Sequence, residues 1–468
     1  MVNYYGRTQI FTDVDEINED NVLRVVRNAY QVHLKNAYEI QYLYDYYKGK
    51  QPIYERTKEI RPEICNMIVE NWANAIVSFK VGYLCGSPIQ YVSGKSKKSL
   101  TKTIDKLNDL MDSRGKAAVD KDLIEWQMIC GTSYRFLLSN KEEGFVIESL
   151  DPVNTFVIYS NDILHRPLAG VYVAEKSEKG KTIKYMTVYT PTKVFTLRGK
   201  SIASVEDNGH GAIPIMEYPA NNARLSVIEI VIDLLDAIND LDSNRLDGVE
   251  QFIQSLLVVY NADIGEETAN TLREKGLIAL KSIGENKADI KIISEQLDQN
   301  QTQTLKEDLI KRVREIVGLP AQGDGNSSDS SNNGAMLLKG GWENAETRAR
   351  ETEVMFKRSE IPFLKLLFSI LKKKTYGITL DIEDVDIRFT RRNYENIQVK
   401  SQVLTTMLSN DKIAPKLAFQ SCGLFIDPEE AYNESMEYYN GRIEQSSNDN
   451  NGVVGNDDNE EGSTRFTP

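Results

Sequence analysis

Gly94-Lys95-Ser96 and Gly199-Lys200-Ser201 have the residue types of a phosphate-binding loop, where backbone N–H groups cradle the phosphates and a lysine reaches the terminal ones. That chemistry needs a further glycine five residues before the Gly-Lys pair, and those places hold Ile89 and Val194. Both triplets lie among strand-like residues and read as charged turns. Cys65, Cys85, Cys130 and Cys422 form no Cys-x-x-Cys pair, so buried thiols are expected in place of a zinc site or a disulfide framework. His33, His165 and His210 lack the spacing that puts two imidazoles on one helical face, and read as structural or surface residues. With no Ser/His/Asp order and no catalytic carboxylate pair, the sequence carries no enzyme signature and implies neither metal nor cofactor.

The spacing that stands out is acidic. In "ARLSVIEIVIDLLDAINDLDSNRLDGVEQFIQSLLVVY", residues 223 to 260, the acids Glu229, Asp233, Asp236, Asp240, Asp247 and Glu250 recur at steps of three and four or their sum. They are expected along one stripe of a helix about 55 Å long. Val231, Leu234, Ile238 and Leu241 make an apolar seam on the other side, which Val249, Phe252 and Leu256 resume. Carboxylates three or four residues apart repel one another, so the stripe is either a solvated face or one with an added purpose.

The chain that positions this helix has 468 residues, 41% of them hydrophobic and 27% charged, enough for a large core and more than one domain. Its formal charge of −13 argues against a protein that coats nucleic acid. The first twenty residues lack a basic and then apolar leader, and no window approaches 18 uncharged apolar residues, so a soluble, intracellular chain is expected. Residues 17 to 50 read as a helix with a tyrosine-rich end, and 62 to 84 as a second with Ile64, Ile68, Trp72, Ile76 and Phe79 on one side. From "SYRFLLSN" to "IPIMEYPAN", β-branched and aromatic runs alternate with turn residues, the pattern of an antiparallel sheet. The fold class is α+β.

After the acidic helix comes a small α/β insert, "LVVYNADI", "EETANTLREKG", "LIALKSI" and "ADIKIISEQ", and then a helix over 301 to 318 with Leu305, Leu309, Val313 and Ile316 on one face. The chain then enters "GLPAQGDGNSSDSSNNGAMLLKGGWENAE", a Gly/Ser/Asn stretch far longer than an ordinary connection and therefore functional or disordered. Beyond it, residues 342 to 374 form a long helix with Pro362 as a kink.

Several stretches resemble the portal proteins of tailed bacteriophages, of the type found in long-tailed siphophages. "YDYYKGKQPI" with "NMIVENWANAIVSFKVGYLCGSPIQY" is similar to that family's N-terminal signature, and "GNSSDSSNNGAMLL" to its GN-S-G-AL segment, here widened by "DSSNN". "VDIRFTRRNYENIQVKSQVLTTMLSNDKIAPKLAFQSCGLFIDPEEAYNE" resembles its wing strand, crown helices and closing D-P-E-E run. The resemblance spans roughly residues 30 to 440, and it rests on the order of these motifs.

The resemblance implies a portal fold: an α+β wing over 1–222, a first stem helix over 223–260, a small α/β clip over 261–300 and a second stem helix over 301–318. A tunnel loop over 319–341, a long kinked wing helix and strand over 342–395, crown helices over 396–440 and a disordered acidic tail over 441–468 complete it. It implies a homododecameric ring at one capsid vertex, the channel for double-stranded DNA packaging and exit. Its implied partners are the large terminase subunit, a head-tail adaptor, and the major capsid and scaffolding proteins, with no membrane and assembly in the host cytoplasm. The six acids would line the channel and keep DNA from sticking. Asn326, Ser327, Ser328, Ser330, Ser331, Asn332, Asn333 and Lys339 would be the tunnel-loop contacts to passing phosphates. A terminase or nuclease subunit would need a Walker loop or a carboxylate metal cluster, and a cellular helical adaptor would not explain an α/β insert between two long helices.

Overall fold

The computed structural model describes residues 6–451 apart from 60, 95–97, 141–143, 179, 254–255, 261–288, 294–298, 321–341, 374–375, 392–396 and 426–427. After strand β1 (Ile10–Thr12), helix α1 (Val22–Tyr47) buries Val22, Val25, Val26, Ala29, His33, Asn36, Ile40, Leu43 and Tyr46, spaced three or four apart. It stops where Gly49 takes a φ of 95° while the N–H groups of Lys48 and Lys50 turn back to the carbonyls of Tyr44 and Asp45, as a left-handed C-terminal glycine allows. Helix α2 (Trp72–Cys85) begins ten residues later than the apolar spacing predicts. Residues 62–71 are not helical, because Asn71 caps the helix by accepting from the Asn74 N–H, and the amides of 66, 68 and 70 are engaged by a distant element.

Strand β2 (Gln90–Ser93), helices α3 (Lys98–Ser113) and α4 (Lys116–Cys130), and strands β3 (Thr132–Asn140) and β4 (Gly144–Leu150) follow. Gly131, at φ 81°, turns α4 into β3 where a Cβ would sit 2.0 Å from the Arg224 carbonyl oxygen, so only glycine fits this approach. Strands β5 (Thr155–Ser160), β6 (Pro167–Glu178), β7 (Lys181–Tyr189), β8 (Lys193–Arg198) and β9 (Ser201–Asp207) join β1 in a six-stranded sheet ordered β1-β5-β6-β7-β8-β9. It is antiparallel as expected, except that β1 lies parallel to β5 with Ile10 opposite Ile158. Strand β10 (Ile215–Pro219) pairs with β3 in a second sheet, ordered β10-β3-β4.

Helix α5 (Ile232–Ile253) and helix α6 (Gln299–Val317) flank an antiparallel pair, β11 (Leu256–Tyr260) with β12 (Asp289–Ile293), which coincides with the outer strands of the expected insert. The stretches "EETANTLREKG" and "LIALKSI" lie outside the described residues. Helix α7 (Trp342–Lys373) carries Pro362 within it, and strand β13 (Val385–Arg388) then pairs with β2. Helices α8 (Ile397–Leu408), α9 (Pro415–Cys422) and α10 (Pro428–Asn451) close the described chain. The expected disordered tail from 441 is corrected to this extent: α10 runs on to Asn451, since extending a nucleated helix is far easier than starting one. Residues 452–468 fall outside the described set.

Two cores meet along α1. Its first half packs on the six-stranded sheet with Phe156, Ile158, Val171, Val188 and Phe195, and its second half joins a larger core with α2, α4, the second sheet and α5, α6 and α7. At the centre of the larger core Glu360 of α7 meets Arg135 of β3, whose guanidinium also reaches Asp120 of α4, itself paired with Lys116. All four side chains are at most 3% exposed.

Candidate functional site

The acidic stripe does not fall where its spacing predicts. Helix α5 has 22 residues, about 33 Å, because residues 224–226 are irregular and 227–231 form turns before it, and the β-branched "LLVVY" run becomes a strand after it. Glu229 is therefore not on the helix. It is buried, accepting from the Ser226 N–H at 2.7 Å and pairing with the buried Arg7. Its carboxylate closes a turn in the manner of a cap.

Along α5 the carboxylates divide. Asp233 and Asp240 are exposed. Asp236 is half-buried and accepts from the Tyr46 hydroxyl at 2.7 Å. Burial pushes its carboxyl up from the usual value, the Tyr46 bond pulls it back, and the Asp240 and Asp233 charges add to the rise. Asp247 is 2% exposed and bound on all sides: Arg56 donates at 2.9 Å, Lys58 pairs with the same oxygen, and the Asn66 backbone and side-chain amides donate at 2.7 and 2.9 Å. Burial pushes this carboxyl up, but Lys58, Asn66 and Arg56 outweigh it and hold it at about 2. Glu250 is partly exposed.

The channel-lining set is thus corrected for Glu229 and Asp247, which are buried against other parts of the chain, while Asp233 and Asp240 keep a free face. Part of the reason is helical pitch: seven residues fall about 20° short of two turns, so the stripe rotates away from its own starting direction. The rest is the changing neighbour. Val231, Leu235 and Ile238 bury in the large core, whereas one turn further the buried residues are Asn239, Ser243 and Asp247, facing the backbone amides of Glu70, Ile68 and Asn66. The predicted seam is corrected too, since Leu234 and Leu241 are only half-buried and Val249 is 42% exposed.

Helix α6 packs beside α5 with Val313 and Val317 buried, but Leu305 and Ile316 of its expected face are exposed. Lys306 takes the inward place instead, bridging Asp242 of α5 at 2.9 Å and Glu70 at 3.2 Å, and Arg245 donates to Gln303 at 2.7 Å. The Arg314 guanidinium lies over the Trp72 ring, 5.5 Å from its centroid. The two helices are joined to each other and to the start of α2 by polar contacts.

Asn326, Ser327, Ser328, Ser330, Ser331, Asn332, Asn333 and Lys339 lie outside the described residues. Of the phosphate-loop fragments, Gly199 and Lys200 make the turn between β8 and β9, with φ 59° at Gly199, as expected of a charged turn. Gly94 ends β2, where its N–H donates to the Asp384 carbonyl at 2.9 Å. The cysteines are free, Cys130 and Cys422 fully buried and Cys65 and Cys85 half-buried, and burial pushes the Cys85 and Cys130 thiols up to about 12. Among the described residues no group of three His, Cys, Asp or Glu side chains is placed to hold a metal.

Sequence spacing missed the residues that hold the acids: Arg7, Tyr46, Arg56, Lys58 and Asn66. They lie 181 to 222 positions away along the chain. The one local signal was the tyrosine-rich end of α1, which supplies Tyr46.

A family model described as phage portal protein, SPP1 Gp6-like, matches residues 28–449. The portal protein of Bacillus phage SPP1 is 23% identical over 491 residues, covering 97% of this chain and 90% of that protein.

Proposed function

The chain belongs to the SPP1 Gp6-like phage portal proteins, and from that premise we propose that it assembles as a homododecameric ring at one capsid vertex. Double-stranded DNA passes through the ring during packaging and on exit. In this reading α5 and α6 are the stem, β11 and β12 belong to the clip that meets the terminase motor and then the head-tail adaptor, and the N-terminal body is the wing. The protein works without catalysis, as a channel and docking platform in the virion. No helix of the described residues is long and apolar enough to cross a membrane.

The observation that carries the reading is the free face of α5. Asp233 and Asp240, seven residues apart, stay exposed on a helix that packs through Leu235, Ile238, Asn239, Ser243 and Asp247. In a ring each becomes a belt of carboxylates that repels phosphates from every side. Repulsion acts within about a Debye length, roughly 8 Å at physiological salt, so it matters where the duplex drifts toward the wall.

Changing Asp233 and Asp240 together to lysine should leave rings intact, because neither residue is buried, and should slow packaging. DNA retention should become salt-sensitive, with the log–log slope against salt growing by about 1 for each phosphate newly neutralised. The check is a packaging assay across ionic strengths, with ring integrity followed by electron microscopy. A normal packaging rate, or rings that fall apart, would overturn the channel assignment.

A further inference from the structure

Between the 3-10 turn at Pro52–Glu55 and the start of α2, residues 62–71 run beside α5 with neither helix nor strand of their own. An unpaired extended backbone is costly to bury unless its N–H groups find acceptors. Here side chains of α5 supply them. Asn239 Oδ1 accepts from the Glu70 N–H at 2.8 Å, Ser243 Oγ from the Ile68 N–H at 3.0 Å, and Asp247 Oδ1 from the Asn66 N–H at 2.7 Å. Along the helix the acceptors step by four residues, about 6 Å at 1.5 Å each. Along the extended chain the donors step by two, about 6.6 Å at 3.3 Å each, in the opposite direction. The two repeats match closely enough for three successive rungs. Among the described hydrogen bonds none engages the alternate amides of Met67 and Val69.

The far end of the ladder is locked. Asp247 also holds Arg56 and Lys58, while Arg56 donates to the Asn66 carbonyl at 2.8 Å, so the loop from 56 to 66 closes round one carboxylate. At the near end Gln51 and Asn239 are both buried and bonded to each other, and Lys306 of α6 reaches Glu70. The segment therefore touches α1, α2, α5 and α6 through polar contacts that have direction and register, which apolar packing would not impose.

We propose that segment 51–71 is a tether that fixes the axial register of the α5–α6 pair against the α1–α2 body, with Asp247 as a positioning residue that locks it. Displacement of the helix pair along its axis is passed to the body through the rungs, and only a shift of a whole helical turn could re-form them. The proposal does not depend on the portal reading, and its failure would leave that reading untouched.

Hydrogen–deuterium exchange of the full-length protein, read at single amides by fragmentation mass spectrometry, tests it. The amides of Asn66, Ile68 and Glu70 should exchange at least about tenfold more slowly than those of Met67 and Val69. Asp247→Ala should release Asn66 and Ile68 and speed exchange in 245–253 of α5, while β3 and β6 stay protected. Ser243→Ala should release Ile68 alone, and Asp240→Ala, at an exposed site, should change nothing. If Asp247→Ala does not fold, Arg56→Gln with Lys58→Gln opens the same lock without touching α5. Equal exchange at odd and even positions of the unmodified protein overturns the ladder. Release of the segment with no change in 245–253 overturns the tether.

Discussion

Replacing Glu360 with alanine should destabilise the folded chain by about 3–5 kcal/mol, the usual cost of leaving one member of a buried ion pair without its partner. The carboxylate is fully enclosed, with Arg135 donating to both its oxygens at 2.7 Å and the hydroxyls of Tyr91 and Tyr218 donating at 2.7 and 2.6 Å. Burial alone would push the Glu360 carboxyl up, but Arg135, Lys116 and the two hydroxyls outweigh it and hold it below the usual carboxylate range. Without it the Arg135 guanidinium, 0% exposed, keeps only Asp120 as an anionic partner, which Lys116 also claims, and two tyrosine hydroxyls lose their acceptor. Arg135→Met combined with Glu360→Leu removes both charges and should cost less than the two single changes added together. Urea unfolding midpoints of Glu360→Ala, Arg135→Met, Glu360→Leu and the double variant give the comparison. A Glu360→Ala cost below about 1 kcal/mol would show that the cluster contributes little to holding α7 in the core.

Acidification from pH 6.5 to 4 should remove about 3 kcal/mol of stability through His33 alone. Its ring is 1% exposed, stacks on Phe156 with centroids 4.5 Å apart, and lies 2.8 Å from the Val153 carbonyl oxygen, to which Nε2–H donates. Burial pushes its pKa down, the Val153 bond raises it slightly, and the net value is about 4. Folded pKa therefore lies below the unfolded value near 6.5. Between the two the unfolded chain binds the extra proton, so stability falls as pH falls, by at most about 1.4 kcal/mol per pH unit in the middle of this window and less at its ends, and levels off above it. In His33→Phe the loss over the same window should be smaller by that amount, although the variant starts less stable for want of the Val153 bond. Parallel pH profiles of unfolding free energy for the two proteins would rule the assignment out.

Apolar spacing located most helices, because a side chain three or four places on faces the same way whatever surrounds it. On that basis α1, α6 and α7 were legible to within a few residues, and so was a strand-bearing insert between two helices, while the loop that was expected next lies outside the described residues. The alternation between "SYRFLLSN" and "IPIMEYPAN" likewise specified antiparallel strands, though not that β1 would add to β5 in parallel. The motif order pointed to the portal family, which the family match over residues 28–449 bears out.

What spacing cannot specify is which neighbour a face meets. Asp233, Asp240 and Asp247 look equivalent at seven-residue intervals, yet the first two are exposed and the third is enclosed by Arg56, Lys58 and Asn66. Glu229 looks like the head of the same stripe and instead pairs with Arg7, 222 positions away. Residues 62–71 have helical apolar spacing, but the amides of Asn66, Ile68 and Glu70 go to Asp247, Ser243 and Asn239. Local sequence determined periodicity, and hence the angle between side chains on one element. Tertiary structure alone decided burial and charge pairing, because a carboxylate leaves water only when donors from distant parts of the chain arrive together to replace its hydration.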